Sequence, residues 1–317
     1  MLARTAIAVL LATALCGPSF AAGQGLSDRV ARCVPEPGAA EQVSDLTVEI
    51  AKAEQSPAQL FDLYVERGRA RITNCDLTSA LADFDRAERT KPPSLRYSTE
   101  FYIGRGDAHL RLEERHDALA DYDAALARNL NTEEEAHVHH MRGYIHSDQG
   151  EESQAVADFS RLIALKPDFA EAYWLRAVSY ENLKDYVRAL ADYDRLAMLR
   201  PDDWTGWAQI CWGHAYLNSG LADGLRACDV ALRLNPDDPN TLDGRGFVKF
   251  RLGRFADAIA DYDAALRQEA RLPGSLYLRG IAKLRLGHEM EATADLAAAA
   301  RFEPEIAGRF AAYGIVP

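Results

Sequence analysis

Four histidines crowd one short stretch of this chain, His137, His139, His140 and His146. Imidazoles spaced i and i+3 or i+4 on a helix can converge on zinc, so this stretch is the first candidate for chemistry. The cysteines left after the N-terminal segment discussed below are Cys33, Cys75, Cys211 and Cys228, and none lies in a CxxC motif. That spacing argues against a zinc ribbon or a dithiol redox centre and leaves disulfides as their natural chemistry in an oxidising compartment. Carboxylates are abundant, but the sequence has no nucleophile elbow, no P-loop glycine pattern and no HExxH, so no enzyme activity and no cofactor are expected.

Composition narrows the classes further. With 48% hydrophobic and 26% charged residues the chain reads as a folded domain, and a formal charge of −12 opposes nucleic-acid binding, which needs a basic stripe to neutralise phosphates. Residues 1–22 carry one charge, Arg4, then the apolar run Ala6 to Leu15 and small residues ending Ala21, Ala22. That is the pattern of a secretory signal, so the mature chain is expected to be exported, periplasmic or secreted. No later stretch is long and apolar enough to predict an integral membrane segment.

The elements that must position these residues come from self-similarity. Small residues recur at Gly68, Gly106, Gly143, Ala177, Cys211, Gly246 and Gly280, a period close to 34. Twelve residues further on stand Ala80, Ala118, Ala155, Ala189, Ala258 and Ala292, and sixteen further on Phe84, Tyr122, Phe159, Tyr193, Tyr262 and Leu296. Prolines such as Pro92, Pro167, Pro201 and Pro304 close the units, stopping a helix. This pattern resembles the tetratricopeptide repeat. The resemblance implies an all-α, right-handed superhelical solenoid of about seven helix-turn-helix units over residues 61–306, starting near Phe61, Thr99, Ala136, Ala170, Trp204, Pro239 and Pro273. Residues 23–60 are expected to form an N-terminal helical cap and 307–317 a C-terminal one, with Ile306, Phe310 and Tyr313 at helical spacing.

Within this frame six units carry an arginine just before the small residue and an aspartate sixteen positions after it. The pairs are Arg67 with Asp83, Arg105 with Asp121, Arg142 with Asp158, Arg176 with Asp192, Arg245 with Asp261 and Arg279 with Asp295. The fifth unit loses both at once, to Ile210 and Ala227. Joint loss predicts contact, and a guanidinium fork on a carboxylate across two antiparallel helices predicts a ladder of ion pairs. In the same unit Cys211 and Cys228 replace the small residue and the ring, which predicts a disulfide between them; Cys33 and Cys75 are expected to staple the N-terminal cap to the first unit.

The resemblance also implies a concave groove lined by first helices. Its ligand positions fall here on His137, His140, Tyr144, Trp174, Trp212, Tyr216, Phe247, Phe250, Arg251, Tyr277 and Arg285, with Asp62, Arg69, Glu100, Asp107 and Arg111 in the first two units. Aromatic side chains and arginine dominate binding hot spots, so a protein or peptide partner is the expected ligand. The repeated Lys and Asn of carboxylate-clamp adaptors are missing from these positions. The four histidines fall on different faces of their helix in this register, so no metal is expected. A metal-binding periplasmic protein and an accessory subunit of an envelope enzyme complex stand as the alternatives to an interaction scaffold.

Overall fold

The structure is a computed structural model that describes residues 34–52 and 55–317; the N-terminal segment 1–22 and Cys33 lie outside the described residues. Sixteen α-helices and no strand occur among the described residues. They fall into two compact units, one ending at Lys166 and the other spanning Pro167–Pro317.

The first unit opens with α1 (Ala39–Ile50), followed by three helix pairs: α2 (Pro57–Thr73) with α3 (Leu77–Thr90), α4 (Thr99–Arg111) with α5 (Arg115–Leu126), and α6 (Thr132–Asp148) with α7 (Glu152–Leu165). The second unit holds four pairs: α8 (Ala170–Asn182) with α9 (Tyr186–Leu199), α10 (Trp204–Leu217) with α11 (Leu221–Leu234), α12 (Pro239–Arg251) with α13 (Phe255–Gln268), and α14 (Pro273–Arg285) with α15 (Glu289–Phe302). The short α16 (Ile306–Ala311) ends it. The first and third pairs begin four residues earlier than the repeat register places them. The reason is local: Ser56 and Asn131 each form a capping box, with Gln59 and Glu134, that adds a turn to the helix N-terminus.

In each pair the first helix runs into a tight turn through a residue at positive φ: Cys75, Glu113, Gly150, Lys184, Asn218, Gly253 and Gly287; in the fifth turn Gly220, which caps the second helix, also has positive φ. The first seven stand seven positions after the recurring small residue. Glycine reaches this left-handed conformation without a Cβ clash, and three turns use it at this position. All seven turns close with a bond to a carbonyl five residues back, as from Glu151 N to His146 O at 2.8 Å and from His288 N to Lys283 O at 2.9 Å. The last-turn carbonyls of each first helix are thereby satisfied.

Small residues sit where the helices of a pair touch. A Cβ on Gly143 would come within 2.5 Å of the Phe159 ring, and one on Gly246 within 2.7 Å of Tyr262. In the fifth pair a covalent bond takes this place: Cys211 and Cys228 form a disulfide across α10 and α11, both fully buried. Cys75 is disulfide-bonded as well.

Five of the six arginine–aspartate pairs form two-pronged forks. Arg67 reaches Asp83 at 2.8 and 2.7 Å, Arg176 reaches Asp192 at the same distances, and Arg105, Arg245 and Arg279 hold Asp121, Asp261 and Asp295 in the same way. Burial opposes the charge of Arg105, Arg245 and Arg279, yet the facing carboxylates outweigh it and hold all three above the ordinary guanidinium pKa. The third nitrogen of several forks reaches back to the preceding pair, Arg245 to Asp229 at 3.0 Å and Arg279 to Asp263 at 2.7 Å. The forks therefore tie helix to helix and repeat to repeat. The third pair differs: Arg142 Nε stands 3.5 Å from Asp158, while His139 Nδ1 takes the carboxylate at 2.6 Å.

Candidate functional site

The first helices of each unit present the face on which ligand positions were expected. In the first unit that face is polar and internally bonded. Asp107 on α4 accepts from the Tyr122 hydroxyl at 2.7 Å and lies 2.9 Å from His137 Nε2 on α6. Burial raises the cost of the Asp107 charge, but His137, Tyr122 and Arg111 overcome it and hold the carboxyl below its usual range. The same pair, against burial, raises the His137 pKa. His140 is only 9% exposed, and burial with the nearby His137 and Lys166 charges drives its pKa down to about 3, so it stays neutral. Its ring lies 4.9 Å from that of Tyr144, which is half-buried and also meets Phe159 edge-on.

In the second unit the face is aromatic, and residues 306–317 of the same chain cover it. Phe310 stacks on Tyr277 with centroids 5.2 Å apart and meets Phe247 edge-on at 6.0 Å. Tyr313 lies 5.1 Å from the Tyr216 ring, and its hydroxyl is 3.2 Å from that of Tyr186. Tyr216 in turn stacks on Trp212 and on Tyr186. Arg251 donates to the Tyr313 carbonyl at 2.9 Å and to the Ala215 carbonyl at 3.2 Å, and Arg285 donates to the Val316 carbonyl at 3.1 Å. Ile306, Phe310 and Ile315 are buried in one apolar cluster with Phe247 and Tyr277.

Several residues expected to meet a ligand are therefore enclosed. His140, Phe247, Phe250 and Tyr277 are buried, Phe250 against Phe255, while Tyr144, Trp174, Trp212, Tyr216, His137 and Arg251 stay half-buried and Arg285 is exposed. Trp174 packs edge-on against Tyr193. The C-terminal segment is thus more than the end cap expected from Ile306, Phe310 and Tyr313: it runs back over first helices of earlier pairs.

Beneath it sits Asp243, on α12. The residue is 7% exposed, Oδ1 meets no hydrogen-bond partner, and burial pushes its pKa to about 7, with Ser275 and Arg309 acting in the opposite direction. Asp243 occupies a ligand position of the repeat register without any spacing that marks it. A second cation, absent from the expected ladder, stands on its aspartates four residues after the arginine: Arg71 lies 2.8 Å from Asp83, Lys249 2.6 Å from Asp261 and Lys283 2.9 Å from Asp295. That spacing was available as a signal, since the same register holds His109 and His146 in the second and third pairs.

The histidines of this stretch meet separate first partners, though His146 also stands 3.7 Å from the Asp158 that His139 holds. His137 turns to Asp107, His139 to Asp158 and His146 to Glu151, the last at 2.7 Å. Among the described residues, one group brings three potential metal-ligand atoms within 4.8 Å of one another, His109, Glu114 and Asp117, and it contains none of those four histidines. No helix among the described residues is long and apolar enough to cross a membrane.

Residues 140–203 match the family model of the tetratricopeptide repeat. The C-terminal part of a tetratricopeptide-repeat protein from Cytophaga hutchinsonii aligns with 75% of this chain and 93% of its own at 14% identity and a TM-score of 0.59. The chain has the tetratricopeptide-repeat fold. YrrB, described as a tetratricopeptide-repeat protein with an unusual peptide-binding site, aligns with 63% of this repeat chain and 97% of its own at 18% identity and a TM-score of 0.52. A tetratricopeptide repeat protein from Parabacteroides merdae aligns at 22% identity over 77% of this chain and 94% of its own, with a TM-score of 0.49. A search of curated protein sequences finds no match.

Proposed function

We propose that this repeat protein is a non-catalytic interaction scaffold of the bacterial cell envelope, which holds a peptide or protein segment on the first-helix face of its repeats. One observation carries the reading: on residues 167–317 that face already holds a polypeptide segment, residues 306–317, through stacked rings and arginine-to-carbonyl bonds. Rings seat side chains and guanidinium groups take main-chain carbonyls, which together are what peptide recognition on a groove requires. The peptide-binding site named for YrrB accords with it. Export is supported by the signal-like residues 1–22 and by the Cys211–Cys228 disulfide, a bond that persists in oxidising compartments.

Selection of displayed random peptides on the purified protein tests the binding reading. Enriched peptides should lose binding to Trp212→Ala; an empty selection, or peptides indifferent to this and other first-helix substitutions, would overturn it. Mass measurement of the protein recovered from a bacterial envelope fraction tests export, with a mature N-terminus following Ala22 expected and an intact Met1 terminus in the cytoplasm refuting it.

A further inference from the structure

The C-terminal segment and the face beneath it make unlike demands on the chain. The face offers a slot between Phe247 and Tyr277, a ring platform at Tyr216 and Tyr186, and two guanidinium groups, Arg251 and Arg285. The segment answers with an aromatic residue, a second aromatic three positions later and an aliphatic residue two beyond that: Phe310, Tyr313 and Ile315. The arginines take only the carbonyls of Tyr313 and Val316, which every peptide possesses. Nothing in these contacts requires the segment to belong to this chain.

The segment is also lightly anchored compared with the pairs it covers. It contains a single six-residue helix, and the residues between and after its buried side chains are exposed, Arg309, Ala311, Ala312, Gly314 and Val316 among them. Asp243, buried with an orphaned Oδ1, adjoins it: a Cβ on Gly274 would meet Asp243, Arg309 and the Phe310 ring, all within 3.8 Å. Short, peripheral elements with few buried side chains open at lower free energy than the core.

We propose that residues 306–317 are a tethered stand-in for the natural ligand, occupying the aromatic face until a partner displaces them, and that the partner's docking segment carries an aromatic residue at i, a second at i+3 and an aliphatic residue at i+5. This rests on the peptide-scaffold reading given above and specifies its ligand. A tether holds the segment at an effective concentration in the millimolar range, so a competing peptide binds the intact chain with an affinity reduced by the closed fraction. The device raises specificity: a partner segment lacking either ring cannot outcompete the one already seated.

The probe is a synthetic peptide of residues 304–317, titrated into full-length protein and into full-length Phe310→Ala. The variant should bind it at least about tenfold more tightly, and a peptide with alanine at both ring positions should bind neither. Hydrogen exchange on the unaltered protein supplies a readout independent of how the variant folds. Residues 306–317 should exchange as a unit well before α8 to α15, and added peptide should leave the displaced segment exchanging faster still. Exchange of the segment only together with those helices overturns the proposal. So does equal peptide affinity for both proteins, which leaves the scaffold reading standing if display-selected peptides still bind through Trp212. If no peptide binds either folded protein, both readings fall.

Discussion

The first-helix faces of the two compact units occupy equivalent repeat positions and are finished in opposite ways. Residues 34–166 close theirs with charge, Asp107 gathering His137 and Tyr122, while residues 167–317 close theirs with rings from their own C-terminus. The comparison teaches that the repeat scaffold fixes where side chains stand but not how the face is satisfied. A charge network is bought with side chains already on the scaffold, whereas an aromatic face needs a further segment to cover it.

The largest test is Phe310→Ala. Removing a ring that is 4% exposed from between Tyr277 and Phe247 should cost about 3 kcal/mol or more, raising hydrogen exchange across α10 to α14 and leaving residues 34–166 unchanged. The forks are what the two units share, so double-mutant cycles on Arg105 with Asp121 and on Arg176 with Asp192 should return similar coupling, on the order of 2–3 kcal/mol, in urea unfolding. A coupling near zero in one unit alone would make the ladder a local feature.

Asp107→Ala should act on the other unit, loosening only the first, by about 2 kcal/mol, because it strands the buried Tyr122 hydroxyl. The pH dependences should separate the two faces as well. Asp243 has a folded pKa raised to about 7 from the ordinary carboxyl value of 3.8, so its penalty is missing at pH 4, grows as pH rises and is complete above pH 7. Asp243→Asn should therefore stabilise the second unit by up to about 4 kcal/mol at pH 8 and have little effect at pH 4 in thermal melts. The His137–Asp107 pair runs differently. The lowered Asp107 pKa makes its contribution disappear on acidification below about pH 4, and the raised His137 pKa makes its contribution disappear as pH rises past that value. Smallest of all, Arg285→Ala should change stability by less than about 0.5 kcal/mol, since the side chain is exposed, while accelerating exchange at residues 313–317.

Much of the fold was legible in one sequence because its contacts are local. The sixteen-residue spacing of arginine and aspartate, and its joint loss at Ile210 and Ala227, names partners on adjacent antiparallel helices. Cys211 and Cys228 were readable by the same logic. The third pair resisted it, because His139 occupies a position that the repeat pattern assigns to the core and there takes Asp158 from Arg142.

By itself, then, the sequence determined the helix pairs, their register, the forks and the disulfide, all set by side chains within one or two turns of a repeating unit. Tertiary structure alone decided which ligand positions remained open. Tyr313 meets Tyr186 across 127 residues and Arg251 across 62, separations at which no periodicity links the partners. The raised pKa of Asp243 likewise reflects tertiary burial, which no repeat spacing announces.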